Sequence, residues 1–216
     1  MTGAGIAAIA FVVIAGCGHA ARTTVMSTTD PSGYPCVLRD PGTLPDDFMV
    51  RQSLTIRAQR DGKAIEGQLD AVLQKQRDTL VIVGFGPMNV KAFTLTQRGD
   101  RIEFTQFTGP ELPFSPRNVV VDVHRVFFKR LPAPAEARYS GVVRGELDGE
   151  HVEETWRDGE LRARVFTRPG STLHGAIRVE LGPGCGPIHC EPESATLHNE
   201  WFGYTLTVAS EGYEKL

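Results

Sequence analysis

The chain lacks several features that would assign it at once to a common class of protein. Its apolar opening, which begins near Ile6, is shorter than the roughly 20 residues that a membrane-spanning helix needs. No Lys or Arg precedes Arg22, although a secretory signal normally opens with positive charge. Basic residues are scattered along a chain whose formal net charge is −3, so we expect no nucleic-acid partner.

Motifs of catalytic chemistry are also absent from the sequence. It has neither the Gly-x-Ser-x-Gly turn of hydrolases nor the His-Glu-x-x-His helix of metalloproteases. Gly182, Gly184 and Gly186 alternate with prolines and lead into no phosphate-binding helix. We therefore expect that the protein is not an enzyme and that it has no catalytic residue, metal site or cofactor.

Two groups of polar residues resemble catalytic pairs but have simpler explanations. His124 follows Asp122 by two positions in a segment of helical spacing, and residues two apart point to different faces of a helix. A cluster of carboxylates near a predicted hairpin could form the acid pair of a glycoside hydrolase, but exposed strand and turn positions explain it. This cluster consists of Glu150, Glu153, Glu154 and Asp158.

What the sequence does contain begins with a bacterial lipobox. Ile14, Ala15 and Gly16 precede Cys17 and follow a short apolar run, which is typical of a secretory signal that is removed. We predict a signal peptide over residues 1–16 and lipid attachment at Cys17, where acylation would make the membrane a partner of the protein.

The residues after the lipobox predict a location and a domain organisation. Gly18 stands where lipoproteins that stay at the inner membrane usually have Asp, so a resemblance to Gram-negative lipoproteins implies the periplasmic face of the outer membrane. Residues 17–33 lack apolar periodicity and are predicted to form a flexible tether. Residues 34–216 are then one β-rich domain, long enough to bury a sizeable core.

Three cysteines follow the lipobox, and two of them lie close together. Cys185 and Cys190 flank a turn-rich segment, and in an oxidising compartment they would close a small loop by a disulfide. Two alternatives stay open. Cys36 could pair with either of them, or they could bind a metal ion together with His189 and His198.

Alternation of apolar and polar residues dominates the chain from Leu54 onward. Leu54, Ile56 and Ala58 alternate with polar residues, and the segment 60–63 that follows has hairpin chemistry. About eleven short strands recur with turn signals between them. This pattern predicts a mainly β fold, a curved antiparallel sheet or half-open barrel with one or more helices on its concave side.

One segment has helical spacing instead of alternation. Ser115 and Pro116 are typical of a helix start, and apolar residues then recur at helical intervals, which predicts a helix over 116–131. One helix cannot cover eleven strands, so the sheet either curls or leaves a groove. Curling would form an apolar pocket under the helix, as small-molecule sites often do. The candidate lining residues are Phe93, Leu95, Val123 and Phe127.

Several short segments combine apolar positions, glycines and turns in a recognisable way. They are Val83-Gly84-Phe85-Gly86, Lys91-Ala92-Phe93-Thr94-Leu95, Gly99-Asp100-Arg101-Ile102, Glu111-Leu112-Pro113-Phe114, the helix with Asp122, and Asn199-Glu200-Trp201-Phe202-Gly203-Tyr204-Thr205-Leu206. Together they resemble an uncharacterised family of bacterial lipoproteins, which is in turn similar in fold to the LolA/LolB carriers of lipoproteins. The resemblance covers about residues 34 to 210.

This resemblance implies a half-open antiparallel barrel that holds acyl chains or another lipid. Some relatives lie near genes for aryl polyene pigments, so a polyene-like cargo is also implied. We therefore expect a hydrophobic ligand, in envelope lipid or lipoprotein trafficking. The alternative is a structural or interaction lipoprotein of the outer membrane, which would have a filled core, no ligand and an envelope protein as its partner.

Overall fold

The computed structural model describes the chain in seven stretches. The lipobox with Cys17, the predicted signal peptide and Cys36 lie outside the described residues. Within the described stretches, no helix is both long and apolar enough to cross a membrane. The described stretches are residues 21–27, 37–60, 63–99, 101–108, 115–170, 175–187 and 189–216.

All the strands of the described residues belong to one antiparallel sheet, which confirms the predicted mainly β fold class. There are twelve of them instead of about eleven. The strands are β1 (Arg22–Ser27), β2 (Phe48–Arg60), β3 (Lys63–Gln76), β4 (Thr79–Phe85), β5 (Lys91–Arg98), β6 (Arg101–Gln106), β7 (Gly141–Leu147), β8 (Glu150–Arg157), β9 (Glu160–Thr167), β10 (Ile177–Leu181), β11 (Ser194–Asn199) and β12 (Tyr204–Lys215).

The order of the strands leaves the sheet open. It runs β1-β6-β5-β4-β3-β2-β12-β11-β10-β9-β8-β7, so β1 and β7 are the two edges and do not pair with each other. The closing strand β12 returns to the middle and pairs with β2 over almost its whole length. The molecule is therefore a half-open sheet and not a closed barrel.

Tight turns set the register of the two hairpins that β7, β8 and β9 form. Asp148 and Gly149 both have positive φ, at 54° and 78°, and Asp158 and Gly159 repeat this with 52° and 81°. Positive φ at both central residues is the geometry of the two-residue turn that matches the twist of paired strands. β7, β8 and β9 are therefore joined as an uninterrupted meander.

The first strand corrects the predicted tether. Residues 17–33 were expected to be without regular structure, but Arg22–Ser27 form β1 and pair with β6 from Arg22 opposite Gln106 to Ser27 opposite Arg101. The segment is rich in threonine and valine, which suit an extended backbone. The segment therefore forms a strand although its apolar and polar residues do not alternate.

The predicted helix over 116–131 is present but shorter and changes type. An α-helix, α1, spans Pro116–Val123, with Ser115 at its N-cap in an extended conformation and Pro116 in the first turn. It continues as one π-helical segment, His124–Phe128. The Lys129 N–H donates to the carbonyl of His124 over 2.7 Å, and the backbone of Lys129 is then extended.

The sheet bends around this helical segment. His124 hydrogen-bonds to Gln97 on β5 at 2.8 Å, and the next residue, Arg125, contacts Glu150 on β8 at 2.6 Å. Eight strand spacings separate β5 from β8 in the sheet order, about 38 Å if the sheet were flat. Adjacent side chains cannot span that distance, so the helical segment lies inside a curved sheet.

Candidate ligand-binding site between the helix and the sheet

An apolar cavity of about 100 Å³ lies between α1 and the middle of the sheet. We call it the inner cavity. Alternate residues of β2 and β12 form its floor, and one side of the helical segment covers it. Its lining consists of Gln52, Leu54, Ile56, Leu69, Leu73, Ile82, Phe93, Val119, Asp122, Val123, Val126, Phe127, Tyr204, Leu206 and Val208.

Three of the four predicted lining residues border the inner cavity. Phe93, Val123 and Phe127 line it, and the Phe93 ring lies over Gly84, where any Cβ would collide with it. Leu95 does not border the cavity, because it is fully enclosed in the packed core of β5. Whether a ligand binds among these residues stays a prediction.

The floor of the inner cavity comes mainly from strands that were predicted but not assigned to a site. Leu54 and Ile56 on β2 face Leu206 and Val208 on β12 across a paired register. Their signal in the sequence was the same alternation that identified the strands. Alternation identifies which face of a strand is buried. It does not identify which part of that face borders an unfilled cavity.

Two polar side chains in the lining are hydrogen-bonded to each other, and the amide nitrogen of a third has no partner among the described residues. The Tyr204 hydroxyl donates to the Asp122 carboxylate, which also lies 3.6 Å from Arg125. Gln52 is buried, and its amide nitrogen has no hydrogen-bond partner among the described residues. The inner cavity therefore offers one unused amide donor, from Gln52, on an otherwise apolar surface.

The opposite side of the helical segment is held by buried ion pairs. Arg125 contacts Glu150 at 2.6 Å, and Lys129 contacts Asp148 at 2.8 Å and Glu150 at 3.8 Å. Arg125, Lys129 and Glu150 are almost completely buried. Buried charges are tolerated only when they are paired in this way.

This arrangement corrects the expectation that the carboxylate cluster is exposed. Glu150 and Glu154 are buried on the inner face of β8, whereas Glu153 and Asp158 are exposed as expected. The two buried carboxylates alternate with Val152 along β8, so they share its inner face. Basic residues from the helical segment and from β9 compensate their charge.

Arg164 on β9 joins the helical segment to the sheet. Its Nε lies 3.2 Å from Glu154, and its Nη1 donates to the carbonyls of Arg125 and Val126 at 3.0 and 2.8 Å. Burial lowers the pKa of Arg164 to about 10, although Glu154 opposes that shift. Arg164 thus satisfies backbone carbonyls of the π-helical segment while it neutralises Glu154. We call Arg125, Lys129, Glu150, Glu154 and Arg164 the ionic cluster.

His124 is buried and is hydrogen-bonded to the sheet. The Gln97 amide nitrogen donates to the backbone carbonyl of Arg39 at 2.9 Å, so the amide oxygen of Gln97 is the acceptor for His124 Nε2 at 2.8 Å. Burial lowers the pKa of His124 to about 3, helped by the nearby charges of Lys129 and Arg39. The imidazole is therefore neutral, and it faces β5 while Asp122 faces β12.

A second cavity of about 320 Å³ lies beyond Phe127, at the other end of the same strands. We call it the outer cavity. Its floor is apolar and mostly aromatic, and consists of Phe48, Val50, Phe128 and Tyr213. The rings of Phe48 and Tyr213 stack there with their centroids 5.3 Å apart. The other lining residues are Arg39, Thr43, Leu44, Pro45, Asp46, Phe127, Arg130, His189, Cys190, Glu191, Pro192, Glu193, Ser210 and Gly212.

The predicted disulfide is confirmed and forms part of the wall of the outer cavity. Cys185 and Cys190 are bonded to each other, and Glu191, which follows Cys190 in the lining, donates its N–H to the carbonyl of Gly184 at 2.9 Å. The bonded sulfurs leave no thiolates for the alternative metal set with His189 and His198. Across the described ranges, no three His, Cys, Asp or Glu side chains are grouped to hold a metal ion.

Comparisons with known proteins find solved structures that are similar to this chain. It is similar to the structure of a LolA superfamily protein from Nitrosomonas europaea, with 10% identity and a TM-score of 0.43 over 81% of this chain and 89% of that chain. It is also similar to a putative outer membrane lipoprotein-sorting protein domain from Vibrio parahaemolyticus, with 7% identity and a TM-score of 0.42 over 79% and 85% of the two chains.

A third similar structure is a DUF1329 family protein from Desulfovibrio piger, with 11% identity and a TM-score of 0.38 over 82% of this chain and 88% of that chain. No curated protein matches the sequence. The expected resemblance to an uncharacterised family is confirmed. A family model matches residues 49–212, and the chain belongs to that family, DUF3261, which is described as a protein of unknown function.

Proposed function

We propose that this protein is a lipid-anchored lipoprotein of the outer membrane that faces the periplasm, acts without catalysis, and binds an acyl chain or a similarly hydrophobic ligand in the inner cavity. The single observation that carries the proposal is the lining of that cavity. Its side chains are apolar except for Gln52 and the mutually hydrogen-bonded pair of Asp122 and Tyr204. An apolar cavity with few polar groups is the usual form of a small-molecule site.

The cover of the inner cavity supports binding and release. Val119, Val123 and Phe127 contribute apolar side chains from the helical segment, and they are only partly buried. A helix that leaves part of its apolar side unpacked can adjust its distance from the sheet at little cost in contacts. The inner cavity would therefore widen when a chain enters.

The size of the inner cavity favours a second candidate function. A volume of about 100 Å³ is below the several hundred that drug-sized ligands occupy. If the cavity does not widen, the protein is a structural or interaction lipoprotein whose core is filled. The two functions differ in whether the purified protein carries a ligand.

The first test is native mass spectrometry of the full chain carrying Cys17→Ser, which cannot be acylated at that position. We expect an adduct that lipid extraction identifies as an acyl lipid or a polyene. A chain that is empty and that also fails to bind the fluorescent fatty acid cis-parinaric acid would replace this proposal with the interaction function.

A matched pair of variants locates the ligand. Val123→Trp would fill the inner cavity, and we expect at least tenfold weaker binding of cis-parinaric acid. Val142→Trp makes the same change at an exposed position of the edge strand β7, and it should bind like the parent chain. Equal binding by the two variants would exclude the inner cavity as the site.

The anchor is tested by fractionation. We expect the parent chain to sediment with outer membranes and to carry lipid at Cys17, and the Cys17→Ser chain to carry none, as measured by mass spectrometry of the denatured protein. The same attached lipid mass on both chains would contradict acylation of Cys17.

A further inference from the structure

The inner and outer cavities share one floor. Along the inner face of β2, Phe48 and Val50 line the outer cavity, and the next inward residues, Gln52 and Leu54, line the inner cavity. β12 repeats this division, with Val208 in the inner cavity and Ser210 in the outer one. The two cavities are therefore successive parts of one trough along paired strands.

Phe127 stands between the two parts of the trough. It lines both cavities, and its ring lies 6.1 Å from that of Phe128 at the centroids. Both rings belong to the π-helical segment, His124–Phe128, a rare geometry that often occurs at functional sites. A partly buried ring can change rotamer without disturbing the strands beneath it.

The outer cavity differs from the inner one in its charged rim. Arg39 and Arg130 both line it, and each donates to a backbone carbonyl, of Phe128 and Gly186 respectively, over a long 3.4 Å. A guanidinium has five N–H donors in a fork that matches carboxylate and phosphate. Arg39 can therefore accept an anion without giving up a strong bond.

Two of the three acidic residues in the lining of the outer cavity, Asp46 and Glu191, already have partners. Asp46 lies 3.2 Å from Lys215 and 3.3 Å from His189, and the hydrogen bond from Lys215 lowers the pKa of Asp46. Tyr213 is hydrogen-bonded to Glu191, and the burial of its ring together with that carboxylate raises the pKa of Tyr213. These pairings lower the repulsion that an incoming anion would meet.

We infer that the ligand is a single-chain amphiphile with an anionic headgroup. The headgroup lies in the outer cavity against Arg39 and Arg130, and the chain follows β2 past Phe127 into the inner cavity. This inference rests on the proposed function and adds the chemistry and direction of the ligand. A carboxylate and a phosphate monoester share the chemistry that the two guanidinium groups recognise.

The test compares three probes of equal chain length, palmitic acid, hexadecyl phosphate and hexadecanol, in displacing cis-parinaric acid from the Cys17→Ser chain. We expect either anion to bind about tenfold more tightly than the alcohol, because hydrogen bonds to charged groups are the stronger ones. The better of the two anions identifies the headgroup. Inorganic phosphate alone should not compete, since it lacks the chain.

Variants of Arg39 show whether the outer cavity is responsible. Arg39→Gln should weaken the binding of both anions about fivefold and leave the binding of hexadecanol unchanged. Arg39→Lys should restore part of the affinity for the anions. Arg57→Gln is the control, because Arg57 is exposed, pairs with Glu66, and lies away from both cavities. Equal affinity of the parent chain for acid, phosphate and alcohol would overturn the inference and leave the proposed function intact. Binding of no probe would overturn both.

The path past Phe127 has its own test. Phe127→Ala joins the two cavities, so more of a long chain can be buried. We expect the affinity for an 18-carbon acid, relative to that for a 12-carbon acid, to rise about threefold to tenfold. This rise corresponds to roughly 0.8 kcal/mol for each additional methylene that is buried. Phe128→Ala removes a ring from the outer cavity only and should leave that ratio unchanged. The same ratio in both variants would exclude the path.

Discussion

The two sides of the helical segment meet very different parts of the sheet. Toward β2 and β12 the segment covers an apolar cavity that is incompletely packed, and toward β8 and β9 it is joined to the sheet by the ionic cluster. Ion pairs in a buried position require defined distances, whereas apolar contacts tolerate small displacements. The ionic cluster therefore fixes the side of the segment that faces β8 and β9, and the apolar side can change its distance from β2 and β12.

The largest effect should come from breaking the ionic side. Arg164→Met leaves Glu154 buried without its cationic partner and removes the Arg164 donor from the carbonyls of Arg125 and Val126. Removing one partner of a buried pair costs about 3–5 kcal/mol, so the free energy of unfolding in urea should fall by that amount.

An exposed pair on the neighbouring strands provides the control for that experiment. Arg144 lies 2.8 Å from Glu153, and more than half of each side chain is exposed. Arg144→Met should change the free energy of unfolding by less than about 1 kcal/mol. If the two variants are equally stable, the ionic cluster does not position the segment.

A smaller difference should separate packed from unpacked apolar residues. Leu95 is fully enclosed, whereas Leu54 borders the inner cavity and is only partly buried. Leu95→Ala should lower the free energy of unfolding by about 2–5 kcal/mol. Leu54→Ala should cost about 1–2 kcal/mol, since it loses fewer contacts.

Ligand affinity sharpens the same comparison. Leu54→Ala enlarges the inner cavity and should preserve or improve the binding of cis-parinaric acid, measured at a temperature where both variants are folded. Equal losses of stability in the two leucine variants would mean that the inner cavity is packed like the rest of the core.

A further difference is a dependence on pH that comes from His124. Its pKa is about 3 in the folded chain, below its ordinary value of 6.5, so between those values the unfolded chain binds a proton that the folded chain does not. Stability is therefore present above the ordinary pKa and falls as the pH drops, by up to about 1.4 kcal/mol per pH unit.

In His124→Gln the unfolded chain binds no proton at this position. Urea unfolding between about pH 7 and about pH 5 should show a shallower loss of stability in the variant than in the parent chain. Parallel curves for the two chains would show that His124 is not buried as a neutral ring.

The sequence predicted the sheet well because most of its strands have one buried face. The Cys185–Cys190 disulfide was also predictable, from spacing and turn residues. β1 was missed because it contributes no alternating apolar face, and its pairing with β6 depends on a neighbour far away in the sequence.

The ionic cluster was missed because its pattern becomes visible only after folding. Glutamate is usually exposed, and the burial of Glu150 and Glu154 depends on basic side chains from other elements. Arg164 is a sharper case, because strict alternation from Leu161 would turn it outward. An irregularity in the register near Thr155 and Trp156 shifts the pairing of β8 with β9, and residues 161, 164 and 166 become the buried ones.

The candidate lining was predicted in part for a related reason. Phe93 and Leu95 are both on the inner face of β5, but only Phe93 borders the inner cavity. Periodicity distinguishes the faces of a strand, whereas an unfilled volume depends on the sizes of all the side chains around it.

The disulfide would make the proposed ligand binding depend on whether the compartment around the protein is oxidising. Cys190, Glu191 and Pro192 are wall residues of the outer cavity, and the bond from Cys185 holds the start of that wall. Such bonds form and persist only in oxidising compartments. A newly made chain in a reducing cytoplasm would have an unfinished wall, so cargo made in the same cytoplasm would be bound tightly only after export had closed the loop.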